Sequence, residues 1–235
     1  MPTPPPIAVA LDVPTLDEAV ELAAVLQGEV AVCKVGLELF GAHGPNAVRQ
    51  VAEQAPVFLD LKLHDIPTTV GRAARVLGEL GVAMVTVHAS GAAAMIEAAV
   101  EGLAAGHAAA GQDGPEPIVL AVTVLTSMSD QDLASVGAPA AGEHVPALAS
   151  LAVEAGAQGL VCAPRDLEVV RAAVGPDVTL VTPGVRPADR DDDDHARAAT
   201  PAAAIAAGAD LLVIGRPITR SDDPAGAARA IAASL

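Results

Sequence analysis

Short apolar runs alternate with Ala-rich stretches of helical periodicity along the whole chain, and the two patterns repeat as eight pairs. The runs at residues 7–11, 31–35, 57–61, 84–87, 118–122, 159–162, 179–181 and 211–214 predict strands. The stretches 16–26, 45–54, 68–80, 92–110, 145–155, 165–174, 201–207 and 224–233 predict helices, and Gly81, Gly156 and Gly208 follow three of them as stops. Such alternation predicts an α/β protein with a (β/α)8 TIM barrel, expected as a single domain over residues 1–235. Residues 1–6, with four prolines, read as a short flexible lead-in. An open doubly wound sheet has the same rhythm. Its glycine-rich dinucleotide fingerprint is missing, because Asp12-Val13-Pro14 follows the first predicted strand.

In a barrel the reactive groups belong at the C-terminal ends of the strands, where the loops converge. Polar residues gather at those ends: Asp12, Lys34, Asp60, Lys62, His88, Thr123, Arg186 and Arg216. Composition sharpens this picture. A net charge of -16 argues against a nucleic-acid partner, since phosphates are neutralised by clustered Lys and Arg. An anionic ligand must then be held by a few local cations. Of 13 basic residues, 11 are Arg and only Lys34 and Lys62 are Lys. A compositional drift toward Arg accounts for the general scarcity, but not for the two that remain. Arg cannot give up a proton at neutral pH, whereas Lys is a compact ammonium whose acidity responds to its surroundings. Both lysines therefore become candidates for chemistry.

Other compositional features exclude classes. No apolar run approaches the ~20 residues needed to span a bilayer, so no membrane segment is expected. Residues 1–6 carry no positive charge ahead of an apolar stretch and do not read as a secretory signal. Cys33 and Cys162 lie far apart, each in a predicted strand, which fits buried thiols in a reduced, cytoplasmic protein.

The sharpest feature is Phe58-Leu59-Asp60-Leu61-Lys62-Leu63-His64-Asp65-Ile66-Pro67, at the end of the third predicted strand. Period-two alternation puts Asp60 and Lys62 on one face, with Phe58 below them in the barrel interior. A purely structural ion pair is one reading, because a buried charge destabilises the fold unless it is matched. The functional reading gains weight from Asp65 in the following loop and from Lys34, expected at the same mouth from the neighbouring strand. Two acids interleaved with two lysines would form a preorganised charge array. An ammonium in it can stabilise negative charge on a substrate carbon and deliver a proton to it.

The segment Asp60-Leu61-Lys62-Leu63-His64-Asp65-Ile66-Pro67-Thr68-Thr69 resembles the signature of the orotidine 5'-phosphate decarboxylase family. Further blocks match the same family in order: Ala10-Leu11-Asp12, Lys34-Val35-Gly36, Val87-His88-Ala89, Leu125-Thr126-Ser127, Thr182-Pro183-Gly184-Val185-Arg186-Pro187 and Ile214-Gly215-Arg216-Pro217-Ile218-Thr219. The resemblance implies a carbon–carbon lyase that converts orotidine 5'-phosphate to UMP and carbon dioxide without a cofactor, the last step of de novo UMP synthesis. It implies that Asp12 and Lys34 hold the ribose hydroxyls, that Asp60, Lys62 and Asp65 form the charge array, and that Lys62 protonates C6. It places Thr126 and Ser127 at the pyrimidine, and Arg186, Gly215 and Arg216 at the phosphate. A homodimer is also implied, with Asp65, Ile66 and Thr69 contributed to the partner's site. Gly215 has a plainer reading as the residue that permits a tight turn after the eighth strand. His88 is expected to be a hydrogen-bonded core residue and His64 to lie behind the catalytic groups. No metal site is expected, since the six histidines lack a paired spacing.

The chain departs from the family pattern at residues 188–195, where the phosphate-gripping loop is expected. The run of four aspartates there reads as a solvated loop. His195 stands where the pattern has Gln, and an imidazole cannot offer the amide's donor and acceptor pair. Two rivals remain. A magnesium-dependent sugar-phosphate decarboxylase or aldolase would share Asp-x-Lys-x-x-Asp, but not Ile66-Pro67 or Leu125-Thr126-Ser127. A noncatalytic nucleotide-phosphate binder would have no need of the Asp60 and Lys62 pairing.

Overall fold

The computed structural model describes residues 4–112, 114–186 and 199–235. The expected loop 188–195, His195 included, and residues 1–3 of the lead-in lie outside the described residues. Eight parallel strands close into a barrel: β1 (Ile7–Ala10), β2 (Val32–Val35), β3 (Val57–Leu63), β4 (Met84–His88), β5 (Ile118–Val122), β6 (Gly159–Val161), β7 (Thr179–Pro183) and β8 (Leu211–Ile214). Each strand pairs with its successor, and β8 returns to β1 through Ile7 opposite Leu212. All eight predicted strands are present. β3 and β7 run two residues further toward the C-terminal mouth than the apolar pattern alone indicates, because the first added residue of each, Lys62 and Thr182, breaks the apolar run.

Three short helices were not anticipated: Leu37–His43, Asp130–Ser135 and Arg216–Thr219. Each is seven residues or fewer, too short to display the helical period that reveals longer elements. Local chemistry accounts for Asp130–Ser135, which begins with a reciprocal capping box between Ser129 and Asp132. Among the described residues no helix is long and apolar enough to cross a membrane.

The strand alternation sorts the core into two layers. Ala8, Val32, Phe58, Leu120, Val122 and Val181 point inward and fill the barrel, while the intervening residues pack against the surrounding helices. Phe58, the largest of the inward side chains, floors the cavity above it. At the opposite, N-terminal end, the Arg171 guanidinium ties the barrel bottom together. It donates to the carbonyls of Gly175 (2.9 Å), Val178 (2.8 Å) and Gly208 (2.8 Å), and pairs with Asp210, whose carboxylate accepts from the Leu180 amide (2.7 Å). Charge at this end serves the fold, leaving the other end for chemistry.

The helices that follow β3 and β4, Pro67–Glu79 and Ala92–Ala109, pack backbone against backbone. Glycine makes this approach possible: a Cβ at Gly102 would lie 2.2 Å from the Gly71 carbonyl oxygen, and one at Gly106 would lie 2.0 Å from that of Arg75. The pair fixes the two strands that carry the charged mouth. We predict that Gly106→Ala destabilises the fold by about 2 kcal/mol or more, since backbone cannot move aside as a side chain can. Gly41→Ala, in an exposed helix with nothing within 4 Å, is expected to be neutral or stabilising by up to ~1 kcal/mol. Chemical denaturation of both variants checks the contrast.

Candidate active site

The strand register explains how the charged residues meet. Lys34 on β2 stands opposite Ala10 of β1 and Phe58 of β3, so its side chain rises inside the barrel between those strands. Asp12 follows β1 by two residues, and Asp60 lies two beyond Phe58 on the same face. The Lys34 ammonium is consequently 3.3 Å from Asp12 Oδ1 and 3.8 Å from Asp60 Oδ2. The Lys62 ammonium donates to Asp60 Oδ1 at 2.8 Å. Asp12, Lys34, Asp60 and Lys62 thus form an alternating chain in which Asp60 serves both cations.

Burial grades the array. Lys34 is only 7% exposed, and two carboxylates offset the cost of holding its charge there. Asp12, its side chain 57% exposed, opens to the cavity mouth. Gly36 leaves room for the first pair, since a Cβ there would stand 3.1 Å from both Asp12 Oδ1 and Lys34 Nζ. Resemblance alone marks Lys34-Val35-Gly36 as a block and does not give the glycine's role, which depends on a contact between two strands.

Asp12, Lys34, Asp60 and Lys62 line one cavity of about 360 Å³, within the range of small-molecule sites. Thr126, Arg186, Gly215 and Arg216 line it too. Two cations thus belong to the array and two more come from the segments that follow β7 and β8, all facing one space. Ser127 is exposed beside Thr126 but lies outside this lining. Asp65, Ile66 and Thr69 are exposed and also outside it; the Asp65 carboxylate accepts from the Ile66 amide at 2.6 Å. Within one chain the second acid of the array is therefore Asp12 and not Asp65. The loop after β3 carries Asp65 past the barrel mouth, which the linear spacing did not reveal.

β3 is irregular where it matters. Leu59 pairs with Val85 and Leu63 with Val87, so four steps along β3 face two along β4. Lys62 takes up the excess with φ 51, a left-handed conformation uncommon for a residue with a Cβ. Sequence reasoning assumed an unbroken alternation here and missed the partner that accompanies the bulge, Thr86 of β4. Its hydroxyl accepts from the Lys62 amide (2.8 Å) and donates to Asp60 Oδ1 (2.9 Å). A lone Thr on the inward face of Met84-Val85-Thr86-Val87-His88 was the available signal.

His88 ends β4 half-buried, its ring packed at 5.4 Å from that of His64. Burial lowers its pKa from the ordinary 6.5, and the neighbouring His64 and Lys62 lower it further against the opposing pull of Asp60. Both cysteines are buried, and burial pushes their thiols up to about 12. They are inert packing groups. Among the described residues no cluster of three or more His, Cys, Asp or Glu side chains is arranged to hold a metal ion.

The sequence matches the orotidine 5'-phosphate decarboxylase / HUMPS family over residues 5–231. The orotidine 5'-phosphate decarboxylase of Thermobifida fusca (strain YX) is 54% identical over 233 residues, covering 98% of this chain and 95% of the relative. That of Anaeromyxobacter sp. (strain K) is 54% identical over 231 residues, covering 97% of each. The crystal structure of orotidine 5'-phosphate decarboxylase from Lactobacillus acidophilus superposes with a TM-score of 0.85 at 37% identity, covering 97% of both chains.

The lowered pKa of His88 has a consequence for stability. Below about pH 6.5 the unfolded chain binds a proton at this ring more readily than the folded one, so stability falls as pH falls. We predict that the wild type loses more thermal stability between about pH 7.5 and about pH 5.5 than His88→Gln does. Equal losses in melting experiments would contradict this.

Proposed function

The chain belongs to the orotidine 5'-phosphate decarboxylase / HUMPS family, and from that membership we propose that it converts orotidine 5'-phosphate to UMP and carbon dioxide, without a cofactor, as the last step of de novo UMP synthesis. One observation carries the reading to this chain: the Lys62 ammonium, paired with Asp60, lines the same cavity as Thr126, Arg186, Gly215 and Arg216. A proton donor and a set of anion-binding groups thus face one space large enough for a nucleotide.

In this mechanism Asp12 and Lys34 bind the ribose hydroxyls. Thr126 and the neighbouring Ser127 orient the pyrimidine, and Arg186, Gly215 and Arg216 hold the phosphate, with His195 completing that end. Arg pairs well with phosphate because its planar donors match the anion's geometry. The bond from C6 to the carboxylate carbon breaks, its electron pair stays on C6, and carbon dioxide leaves. Lys62 attracts the developing negative charge and gives C6 a proton; the neutral amine then regains one from water. Fixed charge in a partly desolvated site acts strongly because it needs no reorganisation when the carbanion forms. Binding of the remote phosphate positions the reacting ring beneath Lys62.

The site works as a homodimer in this reading. Asp65, Ile66 and Thr69 project into the partner's cavity, and Asp65 there presses on the substrate carboxylate. Two features support this: the three residues lie outside their own chain's cavity, and Ile66, an apolar side chain, is 66% exposed.

Turnover of orotidine 5'-phosphate, followed by ultraviolet absorbance with a chelator present, tests the main claim. Bleaching is expected. Bleaching only after magnesium is added would favour a metal-dependent relative, and binding without bleaching would favour a noncatalytic binder. Shared sites are tested by mixing inactive Lys62→Ala and Asp65→Ala chains under exchanging conditions. Activity is expected to return, to about half the wild-type level per mixed dimer and so about a quarter for an equal mixture in which half of the dimers are mixed, because one of the two sites in each mixed dimer is intact. Verified mixed dimers without activity would contradict the arrangement.

A further inference from the structure

We propose that Thr86 is a positioning residue for Lys62, its buried hydroxyl holding the β3 bulge that aims the ammonium into the cavity. The inference rests on the decarboxylase reading above and deepens it, since Thr86 lies outside the cavity lining and acts only through its neighbours.

The bulge leaves the Lys62 backbone without an ordinary ladder partner at this point, and a buried amide without an acceptor destabilises the fold. Thr86 supplies the acceptor at 2.8 Å. The same hydroxyl donates its single proton to Asp60 Oδ1 at 2.9 Å, and that oxygen also accepts from Lys62 Nζ at 2.8 Å. One small ring of hydrogen bonds therefore ties both ends of Lys62, its backbone and its ammonium, to the carboxylate beside it. A hydroxyl has one proton and two lone pairs, and this one bridges an amide and a carboxylate that require opposite roles of it.

A plainer account is that Thr86 is a β-branched residue suited to a strand. Its strand neighbours Val85 and Val87 are apolar, and at 0% exposure Val would fill the same space without an unpaired hydroxyl. The hydroxyl is the part of the side chain that packing does not require. A left-handed backbone is strained for a residue with a Cβ, and at Lys62 it persists only where its surroundings hold it. Thr86 is the contact that does so from the adjacent strand.

Three proteins test the proposal: wild type, T86V, which keeps the shape and removes the hydroxyl, and T86S, which keeps the hydroxyl. With orotidine 5'-phosphate, T86V is expected to lose about tenfold or more in kcat, while KM stays within about threefold because the ribose and phosphate groups are untouched. T86S is expected to recover most of that loss. Hydrogen exchange at the Lys62 amide, followed by NMR, is expected to speed up in T86V and not in T86S. T86V with wild-type kcat, or T86S as impaired as T86V, would overturn the proposal. If T86V does not fold, T86C takes its place, because a thiol of similar size is a weak donor and acceptor. If the wild type itself does not bleach the substrate, the decarboxylase reading fails separately. Amide exchange then decides the positioning role alone: unchanged exchange in T86V overturns it, and faster exchange supports it.

Discussion

A single carboxylate, Asp60, lies between two ammonium groups at the mouth of the barrel. Lys62 meets one of its oxygens at 2.8 Å and Lys34 the other at 3.8 Å. Either cation would be costly to hold in a partly buried space without it, and Asp60 would be costly without them. The arrangement needs two adjacent strands in fixed register and a third polar group on the next strand. A closed parallel barrel provides the register, because each strand is locked by a neighbour on both sides, and Thr86 provides the polar group.

The scaffold concentrates rigidity where that array sits. The helices after β3 and β4 touch through glycine backbones, so the two strands bearing Asp60, Lys62 and Thr86 are backed by helices in direct backbone contact. At the barrel bottom, Arg171 and Asp210 bind carbonyls and an amide of the neighbouring turns and have no access to the cavity. Charges of similar kind thus serve stability at one end of the strands and face a cavity at the other. The overall acidity of the chain, a net -16, coexists with cations concentrated at this one mouth.

The barrel was legible in the sequence because its signal is long-range and periodic: eight apolar runs separated by eight helical stretches. The positions of Asp12, Lys34, Asp60 and Lys62 followed from strand ends and period-two alternation. What escaped has a common cause. The bulge at Lys62, the bridging Thr86 hydroxyl and the space left by Gly36 are relations between neighbouring strands, and one strand's pattern does not encode its register with the next. The short helices Leu37–His43 and Arg216–Thr219 escaped because fewer than two turns display no period. Spacing alone sets Asp65 beside Lys62 and does not show that the turn after β3 leads it out of its own chain's cavity.

The central claim is that the Lys62 ammonium makes negative charge at C6 of the pyrimidine tolerable and exchanges a proton with that carbon. It is tested most directly without carbon dioxide release, by incubating UMP in heavy water and following loss of the C6 proton signal by NMR. The account predicts that the wild type exchanges this proton for deuterium and that Lys62→Ala, folded and able to bind UMP, does so at least about a hundredfold more slowly. Exchange at the wild-type rate in Lys62→Ala would contradict it.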